Sequence, residues 1–171
     1  GEREKAREQL IKSIDLKKNA FALSAVSYID EADGSVDSAI KYAGEAFALD
    51  SGSYGLLKHY MALLNANERF EEILRVYAAL SEELRENGRI KYYRISALVG
   101  LGRIDEAGEL IARPFEIADL REGEVSLYKL WNSYCIRRLK PGEVPEWESA
   151  EEYIKKNYIA PAWVYFNMSD K

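Results

Sequence analysis

The chain has one cysteine, one histidine, four prolines and no surplus of positive charge. With Cys135 alone, no intramolecular disulfide can form. That usage fits a reducing compartment, and with no visible signal or membrane segment the expectation is a cytoplasmic protein. His59 alone cannot supply a usual zinc set, which draws several His, Cys or carboxylate ligands at fixed spacing, and no HxxxH, CxxC or ExxH pairing occurs. Twenty-four basic against 29 acidic residues give a net charge of -5 and a pI near 5.1. A nucleic-acid partner is therefore not expected, since such domains carry a basic face. No apolar run approaches the roughly 20 residues of a membrane span, and nothing at the start resembles a signal peptide. The opening Gly1 and the charged run EREKARE lead us to expect an excised piece or a processed terminus, with part of the function residing upstream.

What is present is an ordinary globular composition, 47% hydrophobic and 31% charged over 171 residues. A chain of this length buries roughly 70% of its unfolded surface, as one domain or a short repeat array. The organising stretch is 34–51, GSVDSAIKYAGEAFALDS, where Ala39, Ala43 and Ala46 form a stripe of small residues at helical spacing. Such a stripe lets a neighbouring helix approach closely. The outline recurs. Ala6, Leu10, Ser13, Leu16 and Lys18 match Ala39, Ala43, Ala46, Leu49 and Ser51 at an offset of 33. At an offset of 34, Gly34-Ser35-Val36 meets Glu68-Arg69-Phe70, then Gly102-Arg103-Ile104, while Ala39 meets Ile73 and Ala107. A second helical segment precedes each turn, at 20–32, 53–66 and 88–101. The unit is two helices joined by a tight turn.

This pattern resembles the tetratricopeptide repeat family, whose 34-residue unit has a turn glycine, an aromatic two places later and small residues down the second helix. Gly34 and Gly102 keep the glycine and Glu68 replaces it. Phe70 keeps the aromatic, with Val36 and Ile104 aliphatic instead; Ala39 and Ala107 keep the tightest small site, from which Ile73 departs. The family's closing proline is absent, with Lys18 and Ser51 in its place. The resemblance spans residues 2 to about 113 and implies an all-α fold, an α-α superhelix of repeats over 1–113. The first repeat lacks its leading helix, so upstream sequence is expected to cover residues 2–17, with Leu10 and Ile14 exposed in this fragment.

Beyond Arg113 the composition changes: all four prolines and all three tryptophans lie there. Pro114 ends the last repeat helix, and 115–123 reads as a connector. Leu127, Leu130, Trp131 and Tyr134 share a helix face from Glu124 onward, stopped by Pro141-Gly142. Trp147, Ala150, Tyr153, Ile154 and Tyr158 make a further amphipathic helix. The tail 159–168, IAPAWVYFNM, is too apolar to float free. Residues 114–171 thus read as a helical C-terminal cap on the repeats. The chain also resembles bacterial multidomain proteins in which a β-rich domain of unknown function precedes such repeats.

No active site and no cofactor motif emerges, and the chain is not read as an enzyme. Cys135 on an amphipathic helix is read as a core residue. The runs Glu71-Glu72, Glu82-Glu83 and Glu151-Glu152 are neighbours about 100° apart on a helix, hence solvated faces rather than acid–base pairs. Gly100-Leu101-Gly102 lacks the context of a phosphate loop and falls at the repeat turn.

The tyrosines carry more. In the resembled family the first helices line a concave surface, which implies a partner-binding groove at Phe21, Ser24 and Tyr28, then Lys58, His59 and Asn65, then Arg89, Tyr92, Tyr93 and Ser96. Aromatic and basic residues are enriched at binding hot spots, so the implied function is a scaffold binding a peptide segment or a neighbouring domain. The family's carboxylate-clamping mode is not implied: Lys58 is in place, but Ala62 and Tyr28 stand where its asparagine belongs. The alternative is a structural appendage of a multidomain enzyme whose active site lies upstream. The expected partner is protein or peptide, including an upstream domain of the same polypeptide, and neither nucleic acid nor membrane.

Overall fold

A computed structural model of the chain describes residues 1–121 and 124–166, the side chains of 165 and 166 excepted. The fold is all-α. Among the described residues there are eleven helices and no strand: α1 (Glu2–Leu16), α2 (Ala20–Ala32), α3 (Val36–Leu49), α4 (Tyr54–Ala66), α5 (Phe70–Ala79), α6 (Glu82–Glu86), α7 (Gly88–Gly100), α8 (Ile104–Ile111), α9 (Ser126–Ile136), α10 (Ala150–Asn157) and α11 (Ala162–Phe166). Two compact units divide the chain, Gly1–Arg69 and Phe70–Lys171.

The 34-residue period is written in the backbone. Helices α2, α4 and α7 begin 34 residues apart, as do α1, α3, α5 and α8. Their starts and stops share one chemistry. Asn19, Ser53 and Asn87, again 34 apart, each accept a backbone N–H with the side chain at the N-cap, from Ala22, Leu56 and Arg89. At the other end the chain turns left-handed at Gly34 (φ 76°), Glu68 (φ 56°) and Gly102 (φ 74°). The residue after each donates five residues back: Ser35 to Asp30 O (2.8 Å), Arg69 to Leu64 O (2.9 Å) and Arg103 to Leu98 O (2.9 Å). This closure satisfies carbonyls that the helix end would leave unpaired. Glu68, where the glycine pattern fails in sequence, therefore keeps the glycine's conformation.

In the first unit α2 is central, with α1 and α3 against it and α4 against α3. Leu23 and Val26 of α2 are fully buried among Ile14, Ala22 and Ala46, each worth about 1.5–3 kcal/mol relative to exposure. Ala39, Ala43 and Ala46 are buried as the stripe requires, and Tyr60 of α4 lies so close over Gly44 that an added Cβ would sit 3.1 Å from its ring. A polar clasp joins three helices. The buried Asp30 carboxylate accepts from Arg7 Nε (2.5 Å) and Nη2 (3.1 Å) and from Ser38 Oγ (2.5 Å). Burial alone would raise the Asp30 pKa; the bonds from Arg7 and Ser38 outweigh it and hold the group below the usual carboxylate range.

The first helix departs from the repeat register. Ala6 and Ser13, matched in sequence to Ala39 and Ala46, are exposed. Against expectation, Ile14 is buried and Leu10 half-buried, because α1 turns Arg7, Leu10, Ile11 and Ile14 toward α2. Leu16 is the apolar residue left outside, 89% exposed.

In the second unit α7 is central, touched by α5, α6, α8 and α9. Ile95, Leu98 and Val99 join Ala107 and Ile111 of α8, Leu130, Trp131 and Tyr134 of α9, Ile154 of α10 and Val164 of α11 in one core cluster. Two glycines bound α7 because neighbours occupy the space a side chain would need. A Cβ at Gly88 would lie 1.8 Å from Glu116 O, and at Gly100 2.3 Å from the Phe70 ring. Helix α6, five residues capped by Ser81 and anchored by the buried Leu84, is too short to show a period in the sequence. Trp147 is 79% exposed and precedes α10 rather than joining its apolar face. The apolar tail packs on its own unit as far as it is described: Ala160 and Val164 are buried, and Trp163 Nε1 donates to Ile111 O at 3.2 Å. Residues 167 and 168 of that tail, and 122 and 123 of the connector, lie outside the described residues. Among the described residues, no helix is long and apolar enough to cross a membrane.

Candidate functional site

The ten residues implied as a groove fall into two sets, six on α2 and α4 of the first unit and four on α7 of the second. On α2 the spacing of three and four puts Phe21, Ser24 and Tyr28 on one face. Phe21 is 81% exposed and Tyr28 53%, with Ser24 half-buried between them. Phe21 sits two residues after the Asn19 cap, so it is held on an ordered first turn.

Tyr28 is anchored from below. Its ring stacks on His59 of α4 at 3.9 Å between centroids and 25° between planes. His59 is 8% exposed at the side chain and lies 2.9 Å from Ser27 Oγ through Nε2. Ser27 has one hydroxyl proton, which it donates to Ala39 O at 2.8 Å. Its oxygen must then accept from His59, which assigns the neutral imidazole proton to Nε2. Nδ1 faces Glu31 Oε2 at 4.0 Å. Burial pushes the imidazole below its ordinary pKa, with Glu31 pulling the other way, so His59 is neutral at pH 7. Its role is to hold Tyr28 and Ser27, joining α2, α3 and α4. Sequence reading missed Ser27. A serine between Val26 and Tyr28 on an apolar helix was the available signal, since a buried hydroxyl demands partners.

Lys58 reaches over Tyr54, its ammonium 5.5 Å from the ring centroid. Asn65 is half-buried one residue before the end of α4. Together α2 and α4 offer two exposed aromatics, a lysine, and serine and asparagine side chains.

The α7 set differs from the expectation. Arg89 and Tyr93 are buried, 8% and 7% exposed. The Arg89 guanidinium donates through Nε to Asp119 Oδ1 (2.9 Å), and through Nη1 and Nη2 to Glu124 Oε1 (2.5 Å) and Oε2 (3.0 Å). It therefore clasps the segment between α8 and α9 onto α7 and is not available as a surface anchor. Glu124 also accepts from Ser126 Oγ (2.6 Å) and Arg121 N (3.2 Å). The bond from Arg89 chiefly pulls the Glu124 carboxyl down to about 2, against burial, with Ser126 and Arg121 helping. Burial pushes Tyr93 up to about 12. Tyr92 is half-buried, its ring edge-on to Tyr93 at 5.3 Å and beneath Arg89 at 5.9 Å. Ser96 is half-buried on the same helix.

Among the described residues no group of three or more His, Cys, Asp or Glu side chains could hold a metal ion. Cys135 is fully buried, and burial pushes its thiol up to about 11, the opposite of an activated nucleophile. Gly100 admits Phe70 and Gly102 makes the turn, which accounts for both glycines without a phosphate. Comparison with protein-family models, with curated proteins and with solved structures finds no match.

Proposed function

We propose that this protein is an interaction scaffold, a helical-repeat array of the tetratricopeptide type closed by its C-terminal helices, and that it binds an extended peptide segment on the α2–α4 face. One observation carries the reading: Phe21 and Tyr28 stand 81% and 53% exposed on one face of an ordered helix. The period of helix starts, caps and left-handed turns supports the repeat architecture.

Recognition follows from what those side chains offer. Phe21 and Tyr28 take up apolar side chains of the peptide, while Ser24, Lys58 and Asn65 hydrogen-bond its backbone and attract an acidic residue. Tyr28 is already fixed by its stack on His59, so little rotamer freedom is lost on binding. Arg89 and Tyr93 have no part in this surface, being engaged inside their own unit.

Selecting peptides from a random display library against the protein, then titrating the best by calorimetry, tests the reading. Phe21→Ala and Tyr28→Ala should each weaken binding by roughly 10- to 30-fold, the equivalent of about 1.4–2 kcal/mol per aromatic anchor. Phe21→Ala should leave thermal unfolding unchanged, since little of that ring is buried. Selected peptides that bind both variants as tightly as the parent would refute it.

A further inference from the structure

The second unit holds a cavity of about 350 Å³ bounded by α5, α6, α7, α8 and the residues just after α8. That size lies in the range of small-molecule sites, roughly 300–1,000 Å³. Its lining is basic in a chain of net charge -5: Lys91, Arg94 and Arg113 against a single acid, Glu86. Glu86 is already paired with Lys91 at 2.7 Å, which leaves Arg94 and Arg113 with no further acid among the lining residues, although Glu106 outside the lining lies within electrostatic reach of Arg94. Arg94 is held in place by Tyr77, its guanidinium 4.6 Å from the ring centroid and Nη1 donating to the phenol oxygen over a long 3.3 Å. Arg85 approaches the same ring at 6.0 Å and has a buried Nε with no hydrogen-bond partner. The lining thus carries two positive charges more than its single acid balances, and an entering anion would relieve their repulsion.

The other walls are apolar. Phe115 is fixed by Trp163, 4.8 Å between ring centroids, and Trp163 is fixed in turn by its bond to Ile111 O. Ile95 and Leu110 complete that side. A fixed aromatic wall in the same cavity as the Arg94 and Arg113 guanidiniums matches a molecule with a flat apolar body and one anionic group.

We propose that this cavity binds a small free aryl anion, an aryl phosphate or aryl carboxylate, with its charged group on Arg94 and Arg113 and its ring against Phe115 and Leu110. The site is separate from the α2–α4 face and does not rest on the peptide-binding reading. It requires no chemical change in the ligand.

Calorimetric titration of the whole chain with phenyl phosphate, benzoate, phenol and inorganic phosphate tests it. Phenyl phosphate or benzoate should bind saturably at one site with Kd below about 1 mM. Either should bind at least roughly tenfold tighter than phenol or inorganic phosphate, because both the ring and the charge are read. Arg113→Gln alters an exposed side chain with no hydrogen bond or ion pair among the described residues, so it should fold normally and bind several-fold more weakly. Arg94→Gln combined with it should abolish binding. The proposal is overturned by any of four results: no saturable binding of either aryl anion by 10 mM, inorganic phosphate binding as tightly, undiminished binding to Arg113→Gln, or binding of a phosphotyrosine peptide where phenyl phosphate fails.

Discussion

The three repeat turns offer a substitution series in which one variable is isolated. Gly34 and Gly102 hold φ of 76° and 74°, and a Cβ built on either meets no atom within 4 Å. Alanine there costs only the left-handed backbone, roughly 1–2 kcal/mol. Restricting the unfolded chain returns roughly 0.4–1 kcal/mol of that. The net loss is about 1 kcal/mol at each site. Glu68 occupies the same conformation at φ 56° with an exposed side chain that makes no hydrogen bond or ion pair among the described residues, so glycine there reverses the sign. Because Glu68 also places a negative charge near the start of α5, worth some tenths of a kcal/mol, the proper reference is Glu68→Ala. Ala and Gly both remove the charge, and only Gly relieves the backbone. We expect Glu68→Gly to be about 1 kcal/mol more stable than Glu68→Ala, and Gly34→Ala and Gly102→Ala each about 1 kcal/mol less stable than the parent. Guanidinium unfolding followed by circular dichroism measures this, provided the slope with denaturant is unchanged. Glu68→Gly equal to or less stable than Glu68→Ala would refute the shared turn geometry.

Other expectations follow from particular contacts. Gly88→Ala should destabilise by about 2 kcal/mol or more, since its Cβ would meet the Glu116 carbonyl at 1.8 Å and backbone must move; a melting curve matching the parent would contradict it. Glu124, with a folded pKa of about 2 against an ordinary 4.5, stabilises the fold above its unfolded pKa by roughly 3 kcal/mol. That contribution should fade as pH falls from about 4.5 through about 2, and Glu124→Gln should flatten this acid limb in urea titrations at successive pH values. His59, the only histidine, gives a single imidazole Cε1–H signal in proton NMR and should titrate below 6.5, its unfolded value. Because the folded state disfavours its proton, stability should fall as pH drops below 6.5; a native pKa above that value would contradict its buried, neutral role. Ser27→Ala leaves the His59 Nε2–H and the Ala39 carbonyl without this partner and should cost about 1–2 kcal/mol by thermal melting.

Periodicity made much of the helix pattern legible. The segments expected at 20–32, 53–66 and 88–101 are α2, α4 and α7 to within a residue, because apolar spacing and turn residues act locally. The Leu127–Tyr134 face is buried as expected. Exposure along the first helices was less legible. Arg89 has the composition of a binding anchor, yet Asp119 and Glu124, 30 and 35 residues away, bury it; spacing within α7 carries no trace of a partner so distant in sequence. The same limit hid Asp30, a charged residue on an apolar helix whose Arg7 partner lies 23 residues upstream. Ile14 shows the converse: its helix appeared unpartnered in the repeat register, but rotation toward α2 covers it.

The central claim is that the α2–α4 face receives a peptide. A selected peptide carrying a nitroxide spin label, bound to isotope-labelled protein, tests this by paramagnetic broadening of assigned amide and side-chain signals. The account predicts loss of signal at Phe21, Ser24, Tyr28 and Lys58, relieved when the label is reduced. Broadening elsewhere, with the α2 signals intact, would contradict it.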